Sequence, residues 1–315
     1  MKAKQSIENK KVKIYVTISI YKIVVGFFAS QGNLKMRKLL FLSAFFFVKA
    51  VTAETYKEAH SIVSIGGPIT EIIYALGEEN RLVARDSTSL YPSSVEKLPD
   101  VGYMRRLSAE GVLSLAPDLI IARETSGPPE VLEQLESASI PIIFVAEDYS
   151  AESVLNSIEV VGQALGVNEK AKNLKQKVNS ELQSLKEKVA KIDKKKRVLF
   201  ILSNRGGRLN VAGKNTGANG VIELAGAINV MADFYSGYKI SSAESIISAA
   251  PDVVVMMEGR GDHSGSKKEI LSLSSISETP AGKTNSFILI PPSTLGFGPR
   301  TPALIKEFHQ TLYGK

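Results

Sequence analysis

The sequence predicts an α/β protein of two similar open-sheet lobes joined by one long helix, with a ligand cleft between the lobes. Three observations carry that expectation. Short apolar runs alternate with helical segments at the spacing of a parallel sheet and its crossover helices. Ser108-Ala109-Glu110 through Ala116-Pro117-Asp118-Leu119-Ile120-Ile121 returns without a gap as Ser242-Ala243-Glu244 through Ala250-Pro251-Asp252-Val253-Val254-Val255, with Ser114 matching Ser248. A unit repeated at this separation marks two related lobes, because solenoid periods are only ~20–50 residues. Between the copies, residues 168–192 carry apolar side chains at three- and four-residue steps. Two lobes facing one another form a cleft, and clefts between domains are favoured ligand sites. The expected division is a leader over 1–53, a first lobe over 54–167, the connecting helix over 168–193 and a second lobe over 194–315.

In the first lobe, Ser61 to Ile65 reads as a buried strand closed by Gly66-Gly67-Pro68. Thr70 is the expected cap of a helix over Glu71–Leu76, which Gly77 ends. The glycine pair reads as a tight turn rather than an anion cradle, since no G-x-G-x-x-G follows. Arg81 to Ala84 is the next strand and Ser87 to Pro92 a polar loop. After the loop around Tyr103, Glu110 to Leu115 is a short helix that Pro117-Asp118 breaks. Leu119 to Ala122 is an apolar run of the parallel-sheet kind. Pro128-Pro129 starts a helix through Leu135, and Ile140 to Val145 is another strand.

Ala151 to Leu165 is helical, and a longer helix follows from Asn168 to about Ile192. Ala171, Leu174, Val178, Leu182, Leu185, Val189 and Ile192 form one stripe on it. Roughly 37 Å of rod is enough to bridge two lobes; a coiled-coil dimer is the competing reading of the same stripe. The second lobe opens with a strand over Val198–Leu202, then a helix over Val221–Ala225. Gly207 to Lys214 is only superficially a phosphate-binding loop: its glycines are one residue too far apart, and Asn215 stands where Ser or Thr must bind magnesium. The copied unit follows, then a Gly/Ser-rich loop (Gly259 to Ser266), a strand over Phe287–Ile290, and a last helix from Thr301-Pro302 to Tyr313.

The formal net charge of +7 does not point to a nucleic-acid partner. Residues 1–53 hold ten Lys/Arg and one Glu, whereas the remainder holds 29 basic and 31 acidic side chains. The basic character belongs to the leader. Met36-Arg37-Lys38, the apolar run Leu39–Val48 and Val51-Thr52-Ala53 have the order of a cleavable signal peptide, so export and a mature start near Glu54 are expected. Residues 1–35 then lie upstream of the true start. An N-terminal anchor over Val12–Ser30 is the alternative, but Lys13 and Lys22 interrupt it, at roughly 2.5–3.5 kcal/mol for a central lysine. The chain has no cysteine, which excludes disulfides, thiolate metal sites, a cysteine nucleophile and a lipid-acceptor thiol. An untethered periplasmic protein is expected.

Little of the chain looks catalytic. The three histidines, His60, His263 and His309, have no ligand spacing, and neither G-x-S-x-G nor H-E-x-x-H occurs. Carboxylate pairs such as Glu78-Glu79 read as solvated helix ends. Two features stand out. Tyr103 and Arg105 lie two residues apart on a loop delivered to a sheet edge, and Tyr238 stands upstream of the second copy. Glu110 and Glu244 each open a short helix in matching contexts, which is either favourable first-turn charge placement or a pair of acidic knobs for a two-fold partner.

Val101-Gly102-Tyr103-Met104-Arg105-Arg106-Leu107-Ser108-Ala109-Glu110-Gly111-Val112-Leu113-Ser114-Leu115, with Leu295-Gly296-Phe297-Gly298-Pro299-Arg300-Thr301-Pro302, resembles the periplasmic haem-binding branch of the substrate-binding proteins of ABC importers for siderophores, cobalamin and haem. The likeness covers residues 60–315. It implies that Tyr103 is the axial ligand of ferric haem b, carried as a transported ligand, and that Arg105 hydrogen-bonds the phenolate. A phenolate is a hard anionic donor suited to Fe(III). It also implies docking of Glu110 and Glu244 on arginines of an inner-membrane permease dimer with its ATPase subunits, and an outer-membrane haem receptor further upstream. Lys239 is the expected propionate partner, with Tyr238 and Arg300 also ligand-supporting. His263 is the candidate second iron ligand, and Pro291-Pro292-Ser293-Thr294 replaces an acidic and aromatic run of such relatives. The same scaffold binding a ferric siderophore or cobalamin is the first alternative, and an exported α/β hydrolase the second.

Overall fold

The computed structural model describes residues 55–259 and 265–314. The leader and His263 lie outside the described residues. The first sheet contains β1 (Ile62–Ile65), β2 (Leu82–Arg85), β3 (Leu119–Arg123) and β4 (Ile142–Val145), all parallel, in the order β2-β1-β3-β4. β1 and β3 are buried along their whole length, which is why they read as unbroken apolar runs rather than alternating ones.

Helix α1 spans Gly67–Ala75, one turn earlier than expected. Pro68 sits in its first turn, where the missing N–H costs nothing and φ is preset. Thr70 is therefore no cap: it is buried inside the helix, its hydroxyl 2.7 Å from both Ser64 Oγ and Ser89 Oγ. Short helix α2 spans Ala109–Leu113 and α3 spans Pro129–Ser137.

Helix α4 (Ala151–Leu165) packs on α1 and β4 of the first lobe, and α5 (Asn168–Val189) then runs along α4 to reach the second. Gly166 turns the chain between them at φ 73°, the left-handed position that favours glycine. Gly162 allows their close approach, since a Cβ there would stand 2.1 Å from Ala171 Cβ. The α5 stripe is consumed inside the chain: Ala171, Val178, Leu182 and Leu185 share one core with Ile72 and Ile158 on one side and Phe200 and Phe308 on the other. That packing removes the basis of the coiled-coil reading. Glu78 is also not a solvated helix end. Its carboxylate pairs with Arg81 (3.2 Å) and with Lys170 of α5 (2.6 Å). Burial pushes that carboxyl up, but the hydrogen bonds from Lys170 and Arg81 outweigh it and hold it below its ordinary value.

The second lobe contains β5 (Arg197–Arg205), β6 (Arg208–Ala212), α6 (Gly217–Leu224), β7 (Ile228–Asn229), β8 (Tyr238–Ile240), α7 (Ala243–Ala249) and β9 (Val253–Met257). They are followed by α8 (Lys267–Ser272), α9 (Ser274–Ser277), α10 (Pro280–Lys283), β10 (Phe287–Ile290) and α11 (Thr301–Tyr313). Strand order is β10-β9-β5-β6-β8, with β7 beside β5. This sheet is mixed rather than a plain copy of the first, because β6 runs antiparallel to both β5 and β8. Gly206 and Gly207 have φ of 59° and 85°, the two positive values a two-residue hairpin turn needs. The segment weighed above as a phosphate loop is thus the returning strand of a hairpin.

The Leu295–Arg300 segment fastens the second lobe to the first. Arg300 donates from Nη2 and Nε to Glu71 of α1 at 2.6 and 3.0 Å, and its guanidinium lies 3.6 Å above the Tyr91 ring. Phe297 meets Tyr149 edge-on, ring centroids 5.5 Å apart. Tyr149 in turn lies against α6, where a Cβ on Gly220 would stand 2.2 Å from the Tyr149 carbonyl oxygen.

Two consequences are measurable. Gly220→Ala forces backbone to move at this joint, and scanning calorimetry should show a loss of about 1–3 kcal/mol, as for overpacking elsewhere; an unchanged melting temperature would mean that the joint yields freely. Glu71→Gln keeps the shape but removes the charge opposite Arg300. It should cost about 1–2 kcal/mol and speed amide exchange over Leu295–Thr301 more than in α5; equal protection in variant and wild type would rule out the ion pair as the fastening.

Candidate functional site

The Tyr103 loop leaves the carboxyl end of β2 and is pinned at both ends. Asp100 accepts from Arg85 Nη1 at 2.6 Å and from the Gly102 N–H at 2.8 Å. Further on, the Leu107 N–H donates to Gly127 O and the Gly127 N–H to Met104 O. Val101, Met104 and Leu107 turn inward as apolar anchors, which pushes the side chains between them out. Tyr103 is 42% exposed. Arg105 Nη1 donates to its phenolic oxygen at 3.2 Å, so the loop brings the expected pair together. Burial pushes the Arg105 guanidinium down, but the charges of Tyr103 and Glu147 beside it raise its pKa overall.

Beneath this pair lies a polar floor that the sequence reading missed. Glu147, two residues beyond β4, has a side chain only 4% exposed. Arg123, the last residue of β3, donates to its Oε1 at 2.8 Å, Thr125 Oγ1 donates to Oε2, and Arg105 Nη2 is 4.0 Å from Oε2. Arg123 also donates from Nη2 to Gly296 O of the second lobe at 2.9 Å. Tyr149 stands beside them, its phenol pushed up by burial and by the Glu147 charge. From β8 of the other lobe, Tyr238 joins the same neighbourhood, within electrostatic reach of Tyr149 and Arg105. Burial pushes it up to about 12, so it stays protonated near neutral pH. A signal for Arg123 and Glu147 did exist: both follow apolar runs now seen as adjacent parallel strands, and open α/β sheets hold ligands outside the carboxyl ends of their strands.

The Gly66-Gly67 turn lies on that same edge and offers no anion cradle. The Gly66 N–H donates to Asp86 Oδ1 at 2.9 Å and the Gly67 N–H to Thr88 Oγ1 at 3.0 Å, so the chain's own side chains fill it.

The remaining expected residues are dispersed. Lys239 is exposed and, next to Tyr238 on one strand, faces the opposite side of the sheet. Arg300, expected among the ligand-supporting residues, commits its guanidinium to Glu71 and Tyr91. It also lines a groove of about 470 Å³ with Tyr74, Tyr91 and Leu174, which does not include Tyr103. His309 is buried, its Nδ1 2.9 Å from Ala225 O, and His60 is exposed. Among the described residues no His, Asp or Glu cluster has the form of a metal site. Glu110 and Glu244 are exposed at the starts of α2 and α7, after the capping hydroxyls of Ser108 and Ser242. Its own backbone N–H and the Ser242 hydroxyl hold the Glu244 carboxyl below its ordinary value.

Residues 62–294 match the family described as periplasmic binding protein. Among solved structures, the periplasmic heme-binding protein RhuT from Roseiflexus sp. RS-1, in apo form, is 36% identical, with a TM-score of 0.77 over 81% of this chain and 98% of that one. An uncharacterized ABC transporter substrate-binding lipoprotein of Bacillus subtilis (strain 168), YvrC, is 34% identical over 64% of this chain and 65% of its own length. A vitamin B12-binding protein of Vibrio parahaemolyticus is 29% identical over 70% of this chain and 78% of its own. Two α/β lobes on a helical backbone, a polar inter-lobe floor and a match over most of the sequence agree: this chain belongs to the periplasmic binding protein family of ABC-transporter substrate-binding proteins, not to the enzymes.

Proposed function

We propose that this protein captures haem b in the periplasm and carries it to an inner-membrane ABC permease for iron uptake. The observation that carries the reading is the Tyr103–Arg105 pair: an exposed phenol at the inter-lobe cleft with a guanidinium 3.2 Å from its oxygen. A phenolate is a hard donor for ferric iron, and a fixed cation beside it favours the charged form. RhuT, described as a heme-binding protein, supports the choice of ligand. In this reading Tyr103 ligates the iron, Arg105 steadies the phenolate, and Glu147 holds Arg105 in place from below. The complex then docks through Glu110 and Glu244, one on each lobe. Export by a cleavable leader belongs to the same proposal. Although YvrC is named a lipoprotein, these 315 residues hold no cysteine to accept a lipid.

Cobalamin is the second reading, favoured by the likeness to a vitamin B12-binding protein. Titration with hemin and, separately, with cyanocobalamin separates the two. Haem capture should give a saturable Soret change with a phenolate-to-iron charge-transfer band. Tyr103→Phe should lose that band. Tyr238→Phe should keep it across pH 6–9, because Tyr238 remains a neutral phenol until about 12. Saturable cyanocobalamin binding without a hemin response would replace haem by cobalamin, and a band surviving in Tyr103→Phe would move the iron ligand elsewhere.

A further inference from the structure

Leu113 and Ile247 are large apolar side chains left 36% and 38% exposed. Each lies three residues after a twin glutamate, Leu113 after Glu110 and Ile247 after Glu244. Residues three apart on a helix share a face, so each copy presents a carboxylate and an apolar side chain side by side. The residues just before them, Val112 and Ile246, point inward and are buried, so the core is already supplied. Ser114 and Ser248, just after, are exposed in both copies. Phe144 and Leu289 also recur as exposed apolar residues, on β4 and β10, but with no carboxylate in a matching position. Neither Glu110 nor Glu244 is ion-paired among the described residues. Both remain available to an external cation.

We propose that Leu113 and Ile247 are apolar anchors of the docking face, each seated in an apolar socket beside the cation that takes the neighbouring glutamate on a two-fold-symmetric permease dimer. The proposal rests on the docking role given to Glu110 and Glu244 above and adds the contact that holds the complex once charge has brought it together. Exposed charges steer encounter and set its salt dependence, whereas buried apolar anchors dominate residence time. A second copy of this chain does not fit as the occupant, because like faces would bring carboxylates against carboxylates. A partner with one cation and one apolar socket per subunit fits both positions at once.

The test uses the full protein loaded with hemin and the same bacterium's haem permease–ATPase complex in nanodiscs, with association and dissociation rates measured at two salt concentrations. Leu113→Ser with Ile247→Ser should raise the dissociation rate by about tenfold or more, with association rate and salt slope near wild type. Leu113→Met with Ile247→Leu should restore slow dissociation. Glu110→Gln with Glu244→Gln should instead slow association and flatten its salt dependence. Hemin titration and melting temperature should be unchanged in all three, which excludes misfolding. Wild-type dissociation in the serine variant beside an impaired glutamine variant would overturn the anchors alone. Wild-type rates in both variants would overturn the docking reading and the anchors with it.

Discussion

The cleft depends on one apolar core that does not stop at the boundary between lobes. Ile72 and Val161 belong to it on one side, Phe200, Val255 and Phe308 on the other, and the stripe of α5 runs through it. Separating the lobes exposes that surface, at roughly 25 cal/mol per Å² of apolar area. The Leu295–Arg300 segment adds polar fastenings at the margin. The two lobes are thus joined through the side chains of one core and not by a bare linker.

Arg123 shows how the frame reaches the site. Its aliphatic stem packs where a side chain on Gly66 would collide, with Cγ 2.7 Å from an added Cβ. Its head is divided between Glu147 of its own lobe and the Gly296 carbonyl of the other. Glu147 is buried, and removing one partner of a buried pair leaves an uncompensated charge that costs several kcal/mol. Arg105, its side chain half exposed, lies 4.0 Å from the same carboxylate and donates to the Tyr103 phenol. A chain of polar contacts thus runs from the exposed phenol to a carbonyl of the other lobe.

Most of the scaffold was legible in the sequence because it rests on local patterns. Buried parallel strands read as apolar runs, α4 has the expected bounds, and the α5 stripe has the helical period. What was not legible depends on long-range pairing. The hairpin turning at Gly206-Gly207 was hidden because its returning strand resembled another glycine-flanked motif. Thr70 was misread because Pro68 starts the helix earlier. Tyr103 and Arg105, two residues apart, stood out as a pair. Arg123 and Glu147 lie 24 residues apart and become neighbours only once β3 pairs with β4. Arg300 finds Glu71 across 229 residues, a separation no local pattern can report.

The duplication is kept in one part of the molecule and broken in another, and the difference follows what each part must meet. Outside the cleft the copies match: a capping serine, an exposed glutamate and an apolar residue three further on. Inside it they diverge. Tyr103 stands on a loop, exposed and beside an arginine, whereas Tyr238 lies on β8, where burial keeps it a neutral phenol. Under the proposed function, an iron bound by Tyr103 needs that one phenolate, and a second anion facing it would add repulsion in a region of low dielectric. A two-fold partner requires the opposite, the same chemistry presented twice. Matched outer faces around an unmatched cleft therefore fit the proposed function, in which the iron ligand is supplied once and the docking face twice.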